Sequence, residues 1–220
     1  MLDLLLPQRC LLCAQPGAQV CLACSETLPR LVRPLCERCG APTAWPVRRC
    51  AECAGRRLAF DEARAAVAYN AGVQKLVAAW KERGLRRLAS WAAQIVAGSL
   101  QRPDADCLTF IPGDPERRLE RGHHAAERLA RDLALAWQLP LEPLLTRSRG
   151  SPRQRGLTQT ERRRNVADAF TAHGAIPARI ALVDDVYTTG ATTNAAASAL
   201  RRGGAKRVQV VTFARTIRVR

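Results

Sequence analysis

Eight of the nine cysteines in this 220-residue chain fall into four Cys-x-x-Cys pairs, Cys10/Cys13, Cys21/Cys24, Cys36/Cys39 and Cys50/Cys53. Two such pairs supply four thiolates, the number a tetrahedral structural zinc takes, and the two-residue spacer lets one knuckle present both sulfurs to the same ion. The segment has too little apolar content to fold alone, so bound metal has to supply most of its folding energy. Sequential pairing predicts one site from the first four cysteines and a second from the last four. The short gap between Cys13 and Cys21 leaves open a crossed arrangement, or one site with unused thiols, so the expected content is one or two structural zinc ions. Arg56 closes this unit, which divides the chain into residues 1–56 and 57–220. The ninth cysteine, Cys107, lies in the apolar run Cys107-Leu-Thr-Phe-Ile111 and reads as a buried small hydrophobe.

A second stretch, Arg179-Ile-Ala-Leu-Val-Asp-Asp-Val-Tyr-Thr-Thr-Gly-Ala-Thr192, organises the remainder. Ile180 to Val183 is short, rich in β-branched residues and preceded by Pro177, which predicts a buried strand. Asp184 and Asp185 stand where that strand is expected to end. Thr188, Thr189, Gly190, Ala191 and Thr192 form a turn of hydroxyl residues and glycine that leads into a helix over Thr193 to Arg202. A strand feeding a helix through such a turn points backbone N–H groups and the positive end of the helix dipole at one spot, which suits a phosphate. Adjacent carboxylates would repel that phosphate unless they face sugar hydroxyls or a divalent metal. A phosphorylated sugar satisfies both halves.

The intervening segments supply the other elements. Ala63 to Tyr69 predicts a strand and Asn70-Ala-Gly72 a turn. Val73, Leu76, Val77, Trp80 and, beyond Gly84, Leu88, Trp91 and Ile95 recur at helical spacing as a core face. Opposite them lie Lys75, Lys81, Arg83, Arg86 and Arg87, a solvated face. Strand Cys107–Ile111 is followed by the loop Pro112-Gly-Asp-Pro115 and a helix from about Glu116 to Trp137. His123-His124 is not read as a metal pair, because neighbouring helix positions diverge by about 100°. Leu141 to Leu145 predicts a second core strand, and Val208 to Phe213 a last one after Gly203-Gly204. This alternation of strands and helices is the pattern of a parallel sheet with right-handed crossovers, with ligands at the carboxyl ends of its strands.

Lys+Arg 35 against Asp+Glu 19 gives a formal net charge of +16, which favours anionic partners such as nucleic acid and phosphates. The most basic segment carries Arg147, Arg149, Arg153, Arg155, Arg162, Arg163 and Arg164 with Glu161 the sole acid among them. Ser148, Gly150, Ser151, Pro152 and Gly156 make its first half a loop. Stacking platforms are scarce: four Trp, four Phe and two Tyr, several on expected core faces. Met1-Leu-Asp-Leu-Leu-Leu6 is too short for a signal peptide. No apolar run approaches the roughly 18 residues needed to cross a bilayer. The expected setting is therefore the cytoplasm, without membrane insertion, where paired cysteines bind metal rather than form disulfides.

Val183-Asp-Asp-Val-Tyr-Thr-Thr-Gly-Ala-Thr192 resembles the phosphoribosyl-pyrophosphate motif of type I phosphoribosyltransferases. The whole chain resembles the competence protein F (ComF) family, whose N-terminal position carries a cysteine-rich zinc ribbon that the four cysteine pairs match pair for pair. Tyr69-Asn-Ala-Gly72 with Trp80-Lys-Glu-Arg-Gly84, Phe110-Ile-Pro112, Arg121-Gly122 and the run Glu161-Arg-Arg-Arg-Asn165-Val are similar to further family stretches. His123 and His124 replace the aromatic and amide that usually follow Arg121-Gly122.

The resemblance implies an α/β fold, a type I phosphoribosyltransferase-like parallel sheet flanked by helices over 57–220, with a small double zinc ribbon over 1–56. It implies that Asp184 and Asp185 are the catalytic acids at the ribose hydroxyls and that Thr188, Thr189, Gly190, Ala191 and Thr192 hold the 5-phosphate. Mg2+ would bridge the pyrophosphate, whose charge Pro112, Gly113, Lys81, Arg121, Arg153 and Arg155 would meet. Arg162, Arg163 and Arg164 would contact the backbone of single-stranded DNA. The expected role is handling incoming DNA in natural transformation, with a DNA-uptake helicase and recombination-mediator proteins as partners, and phosphoribosyl transfer to an acceptor that no residue identifies. The alternatives are a non-catalytic zinc-containing single-stranded DNA-binding protein with a relic ligand site, and a nucleobase-salvage phosphoribosyltransferase.

Overall fold

A computed structural model describes residues 8–82, 84–85, 87–113, 124–147 and 169–217. The longest strands are β5 (Arg179–Tyr187) and β6 (Arg207–Arg215), paired in parallel register from Arg179 opposite Arg207 to Tyr187 opposite Arg215. β1 (Glu62–Ala68) joins the far side of β6 and β2 (Cys107–Phe110) the far side of β5, giving a parallel sheet of order β1-β6-β5-β2. The middles of the two central strands, residues 180–183 and 208–214, are buried, as strands covered on both faces are. In β6 every residue from Val208 to Arg215 is buried.

One face is covered by α2 (Ala71–Glu82), α3 (Arg87–Ser99) and α4 (Ala125–Trp137). Val73, Leu76, Trp80, Leu88, Val96, Leu129 and Leu133 pack there against Ala181, Val183, Val211 and Phe213. The Phe213 ring meets Trp80 and Trp91 edge-on at centroid distances of 6.4 and 5.6 Å, an arrangement aromatic pairs favour. The other face holds α5 (Ala191–Arg202), whose Ala195, Ala196, Ala197 and Ala199 are all buried. Cys107 is buried as expected, and that burial, with Glu142 and Asp106 nearby, pushes its thiol up to about 12.

The cysteine-rich segment is built onto the sheet. Leu31 N–H donates to Ala66 O at 3.0 Å, Ala68 N–H to Pro29 O at 2.8 Å and Ala63 N–H to Arg38 O at 2.9 Å, so residues 29–38 cover the outer edge of β1. That satisfies groups which an open edge would offer to another chain. Gly40 has φ +69°, and a Cβ there would collide with the Ala63 carbonyl oxygen. Close contact of the two backbones therefore requires glycine at this position. Among its described residues the segment contains a single short helix, α1 (Leu22–Glu26).

Two expectations need correction. β5 does not end at Val183: it runs on to Tyr187, because Asp184 and Val186 keep their places opposite Thr212 and Ala214 of β6. The aspartates therefore lie inside a strand rather than beyond it. Leu141 to Leu145 is not a core strand. Leu141 makes a lone parallel bridge to Leu108, and β3 (Leu145–Arg147) pairs instead with β4 (Phe170–Ala172) in a separate antiparallel ribbon. Pro140 and Pro143 have no N–H to give a ladder, which confines regular pairing to the residues after them. The helix expected from Glu116 is described from Ala125, with His124 as its N-cap: its side chain accepts from Glu127 N–H at 3.1 Å.

Candidate functional site

The carboxyl ends of β2 and β5 bring together three of the expected groups. Ile111 N–H donates to Val183 O at 3.0 Å, which sets Pro112 and Gly113 beside the start of the acid pair. Gly113 packs against His124 so closely that an added Cβ would stand 2.5 Å from its Nε2. Asp184 Oδ1 accepts from Asp185 N–H at 2.9 Å. The Asp185 carboxylate, in a residue only 6% exposed, holds the Lys81 ammonium at 2.7 Å from the last turn of α2.

Electrostatics follow from this packing. Loss of solvent and then the charge of Asp185 push the Asp184 carboxyl up to about 8, with Lys81 opposing. Desolvation works against the Lys81 ammonium, but the charges of Asp185 and Asp184 outweigh it and hold its pKa above the ordinary lysine value. The oxygens of the two aspartates are hard donors of the type magnesium takes, and in the ligand-free protein the Lys81 ammonium occupies one of them.

The turn after β5 begins at exposed Thr188 and Thr189 and enters α5 at Gly190. Gly190 has φ +73°, and its missing Cβ leaves room for the Tyr187 hydroxyl, which lies directly against it. That buried hydroxyl has no hydrogen-bond partner among the described residues. Thr189 Oγ1 accepts from Ala191 N–H at 3.3 Å. The first turn of α5 leaves further N–H groups without intrahelical partners beside Thr192. The turn therefore presents hydroxyls, amides and a helix N-terminus together, some strand residues away from Asp184-Asp185.

Arg121 and the arginines Arg153, Arg155, Arg162, Arg163 and Arg164 lie outside the described residues. Sequence reasoning passed over two other arginines. Arg56, noted only as the end of the ribbon, donates to Thr189 O at 2.8 Å. Arg215, at the end of β6 and 1% exposed, bonds the Cys39 carbonyl, ion-pairs with Glu52 at 2.8 Å and lies 5.1 Å over the Tyr187 ring. An arginine closing an apolar strand is a usable signal, since a buried guanidinium requires partners.

The cysteines settle into two quartets in sequential order, Cys10/Cys13/Cys21/Cys24 and Cys36/Cys39/Cys50/Cys53, each with its sulfurs within 4.8 Å of one another. The crossed and single-site arrangements are therefore set aside. Cys13 and Cys21 sulfurs are 3.6 Å apart, Cys36 and Cys53 3.7 Å, Cys39 and Cys50 3.4 Å, and Cys50 and Cys53 3.9 Å. A tetrahedral zinc with Zn–S of about 2.3 Å spaces its sulfurs about 3.8 Å apart, so both quartets fit the ion. Cys21 N–H and Cys50 N–H point at Cys10 and Cys36 sulfurs, at 3.5 and 3.3 Å, and help to fix the ligands' orientation.

Two cysteine quartets built for structural zinc, packed on a parallel α/β sheet with paired acids and a glycine turn at its carboxyl end, define the class: a zinc-ribbon α/β protein. The model of the double zinc ribbon domain matches residues 1–54. The chain is 28% identical over 208 residues to competence protein F of Haemophilus influenzae, covering 89% of this chain and 90% of that one. It is 28% identical over 232 residues to the DNA utilization protein YhgH of Salmonella typhimurium, covering 97% and 100%. Among solved structures, a glutamine phosphoribosylpyrophosphate amidotransferase from B. subtilis matches with a TM-score of 0.41 and 24% identity, over 58% of this chain and 25% of that one. The chain is thus similar to competence protein F and YhgH along nearly its whole length. Among the described residues, no helix is long and apolar enough to cross a membrane.

Proposed function

We propose that this protein binds phosphoribosyl pyrophosphate, as its magnesium complex, in the crevice at the end of β5, and that it handles single-stranded DNA during DNA uptake. The observation that carries the first half is the convergence of Asp184-Asp185, the Thr188–Thr192 turn, Pro112-Gly113 and Lys81 at one end of one sheet. The second half rests on the names of the relatives, a competence protein and a DNA utilization protein, and on the formal charge of +16.

In this reading the turn holds the 5-phosphate through Thr188, Thr189 and Thr192 hydroxyls and the free amides of α5. Asp184 and Asp185 take the ribose hydroxyls, and Lys81 turns from Asp185 toward the pyrophosphate. Magnesium brought in with the ligand would be held beside Asp184 and Asp185 and would supply charge neutralisation for the pyrophosphate. The chain's own contribution to transfer is electrostatic, with fixed amides and cations stabilising charge as it builds on the departing group. Calorimetric titration of phosphoribosyl pyrophosphate with magnesium into zinc-loaded protein should give saturable binding. Asp184→Asn with Asp185→Asn should abolish it and leave zinc content unchanged, and equal binding by that variant would overturn the assignment.

A further inference from the structure

The aromatic residues are divided sharply by exposure. Trp80 and Trp137 are buried, Trp91 is half-buried, and Phe60, Phe170, Phe213 and Tyr187 are all core residues, whereas Trp45 is 68% exposed. It stands in the loop between Cys39 and Cys50, inside the second zinc quartet, on a chain that cannot swing freely. Cys36 N–H donates to Ala41 O at 2.7 Å, Thr43 N–H to Pro34 O at 3.1 Å and Glu37 N–H to Val47 O at 2.9 Å, so both limbs of the loop are tied. Pro42 and Pro46 restrict the backbone on either side of the indole. With its backbone fixed in this way, the loop loses little freedom when something lies down on the indole.

The charged residues that follow it in the loop are cationic. Arg48 and Arg49 follow within four residues, both exposed, and with Arg38 they line an open groove of about 540 Å³ that also contains Glu37 and Asp61. Asp61 is already matched: Arg201 reaches it at 2.5 Å and Val208 N–H at 2.8 Å. Glu52, further along the same segment, is matched by Arg215. The Arg49 guanidinium donates to Arg56 O at 2.5 Å, and Arg56 in turn donates to Thr189 O, so the groove's rim connects by hydrogen bonds to the turn after β5.

We infer that Trp45 with Arg48 and Arg49 forms a docking surface for single-stranded DNA, one base stacked on the indole and the neighbouring phosphates on the two guanidiniums. A duplex keeps its base faces covered. A protein partner seated on Trp45 would have to bury a rim of guanidinium rather than apolar surface. Unpaired bases with an anionic backbone match both halves, since base–aromatic stacking and phosphate neutralisation are the two terms of single-strand binding. The scarcity of stacking residues in the sequence is thereby resolved: one suffices if it is held rigid and outside the core. This rests on the reading of the protein as one that handles single-stranded DNA and is independent of the phosphoribosyl-pyrophosphate site.

The test uses full-length zinc-loaded protein, with dT15, an abasic 15-mer of equal length, a 15-bp duplex and rU15 as probes. Stacking is worth about 1–3 kcal/mol per base, so Trp45→Ala should weaken dT15 binding about tenfold, with no change for the abasic strand. Trp45→Phe should recover most of the loss, and its fluorescence should lack the quenching that dT15 causes in the unaltered protein. Replacing Arg48 and Arg49 with Gln should weaken both strands alike and reduce the slope of log K against log salt by about 1.4. Two zinc per chain in every variant shows that the ribbon is intact. Trp45→Ala binding dT15 within twofold of the unaltered protein, or losing the abasic strand equally, overturns the surface while leaving DNA handling in place. Tighter binding of the duplex or of rU15 overturns the choice of partner. Failure of the unaltered protein to bind dT15 overturns the DNA-handling reading along with this surface.

Discussion

The Lys81 ammonium lies 2.7 Å from Oδ1 of Asp185, which ties the end of α2 to the carboxyl half of β5. The carboxylate side is 9% exposed and the lysine side 32%, so the pair is desolvated mainly at the acid. Removing the lysine strands a buried carboxylate beside the second acid, Asp184. Breaking a fully buried pair costs about 3–5 kcal/mol, and with one partner a third in water the expected cost of Lys81→Met is about 2 kcal/mol. Urea unfolding should show a lower midpoint with an unchanged slope. The same variant should weaken phosphoribosyl-pyrophosphate binding, because the cation meant to turn toward the pyrophosphate is gone.

The proton on Asp184 makes the ligand-free protein sensitive to pH. Its folded-state pKa is about 8, raised from the ordinary aspartate value by desolvation and by Asp185. Between those limits the folded protein holds a proton that the unfolded chain has released, so this group's contribution to stability falls as pH rises through that window. Asp184→Asn carries no such proton and should flatten the decline in melting temperature measured from pH 5 to pH 8. A decline just as steep in the variant would place the source elsewhere.

Gly190 is where the turn, the helix start and the ring of Tyr187 meet. A Cβ would collide with the Tyr187 hydroxyl, and φ +73° is strained for any side-chain-bearing residue. Left-handed backbone costs roughly 1–2 kcal/mol for an L residue before the collision is counted. Gly190→Ala should therefore lower stability by about 2 kcal/mol or more and abolish calorimetrically detected phosphoribosyl-pyrophosphate binding. Asn194→Ala at the same helix removes only the bond that Ala59 N–H gives to its side chain, and should retain binding.

The parts of this architecture legible from sequence are those fixed by local chemistry. Cys-x-x-Cys spacing specifies a zinc knuckle, and an apolar run followed by Thr-Thr-Gly specifies a strand, a turn and a helix. Contacts between distant segments were not legible. That Lys81 would face Asp185 depends on how α2 crosses the sheet, and its helical position alone placed it with solvated Lys75 and Arg87. The strand was expected to stop at Asp184 because charge usually ends a buried run, yet pairing with β6 carries it on through Tyr187. Leu141 to Leu145 misled for the opposite reason: its apolar composition suits a strand, and Pro143 denies it the ladder. Trp45 drew no assignment from the sequence, because its exposure is set by a loop between two cysteine knuckles that composition does not reveal.

Arg215 makes the two zinc sites unequal. Its guanidinium bonds the Cys39 carbonyl, pairs with Glu52 at 2.8 Å and covers Tyr187, which lies against Gly190. Cys36, Cys39 and Cys53 belong to the same apolar cluster as Ile180, Leu182 and the alanines of α5. Opening the second quartet therefore frees the partners of a buried charge and loosens one face of the sheet. Cys13, by contrast, is exposed, and the first quartet meets the rest of the protein through partly buried Leu11, Leu12 and Val20. Cys13→Ser and Cys53→Ser should each lower the zinc content from two ions to one, yet differ in stability. An uncompensated buried charge costs about 3 kcal/mol or more, and for a chain of this size each kcal/mol moves Tm by roughly 2–4 °C. Cys53→Ser should consequently melt about 10 °C below Cys13→Ser. Arg215→Met in the zinc-replete protein should reproduce much of that difference with both ions still bound. Equal melting of the two cysteine variants would show that the second ribbon is no more a part of the sheet's core than the first.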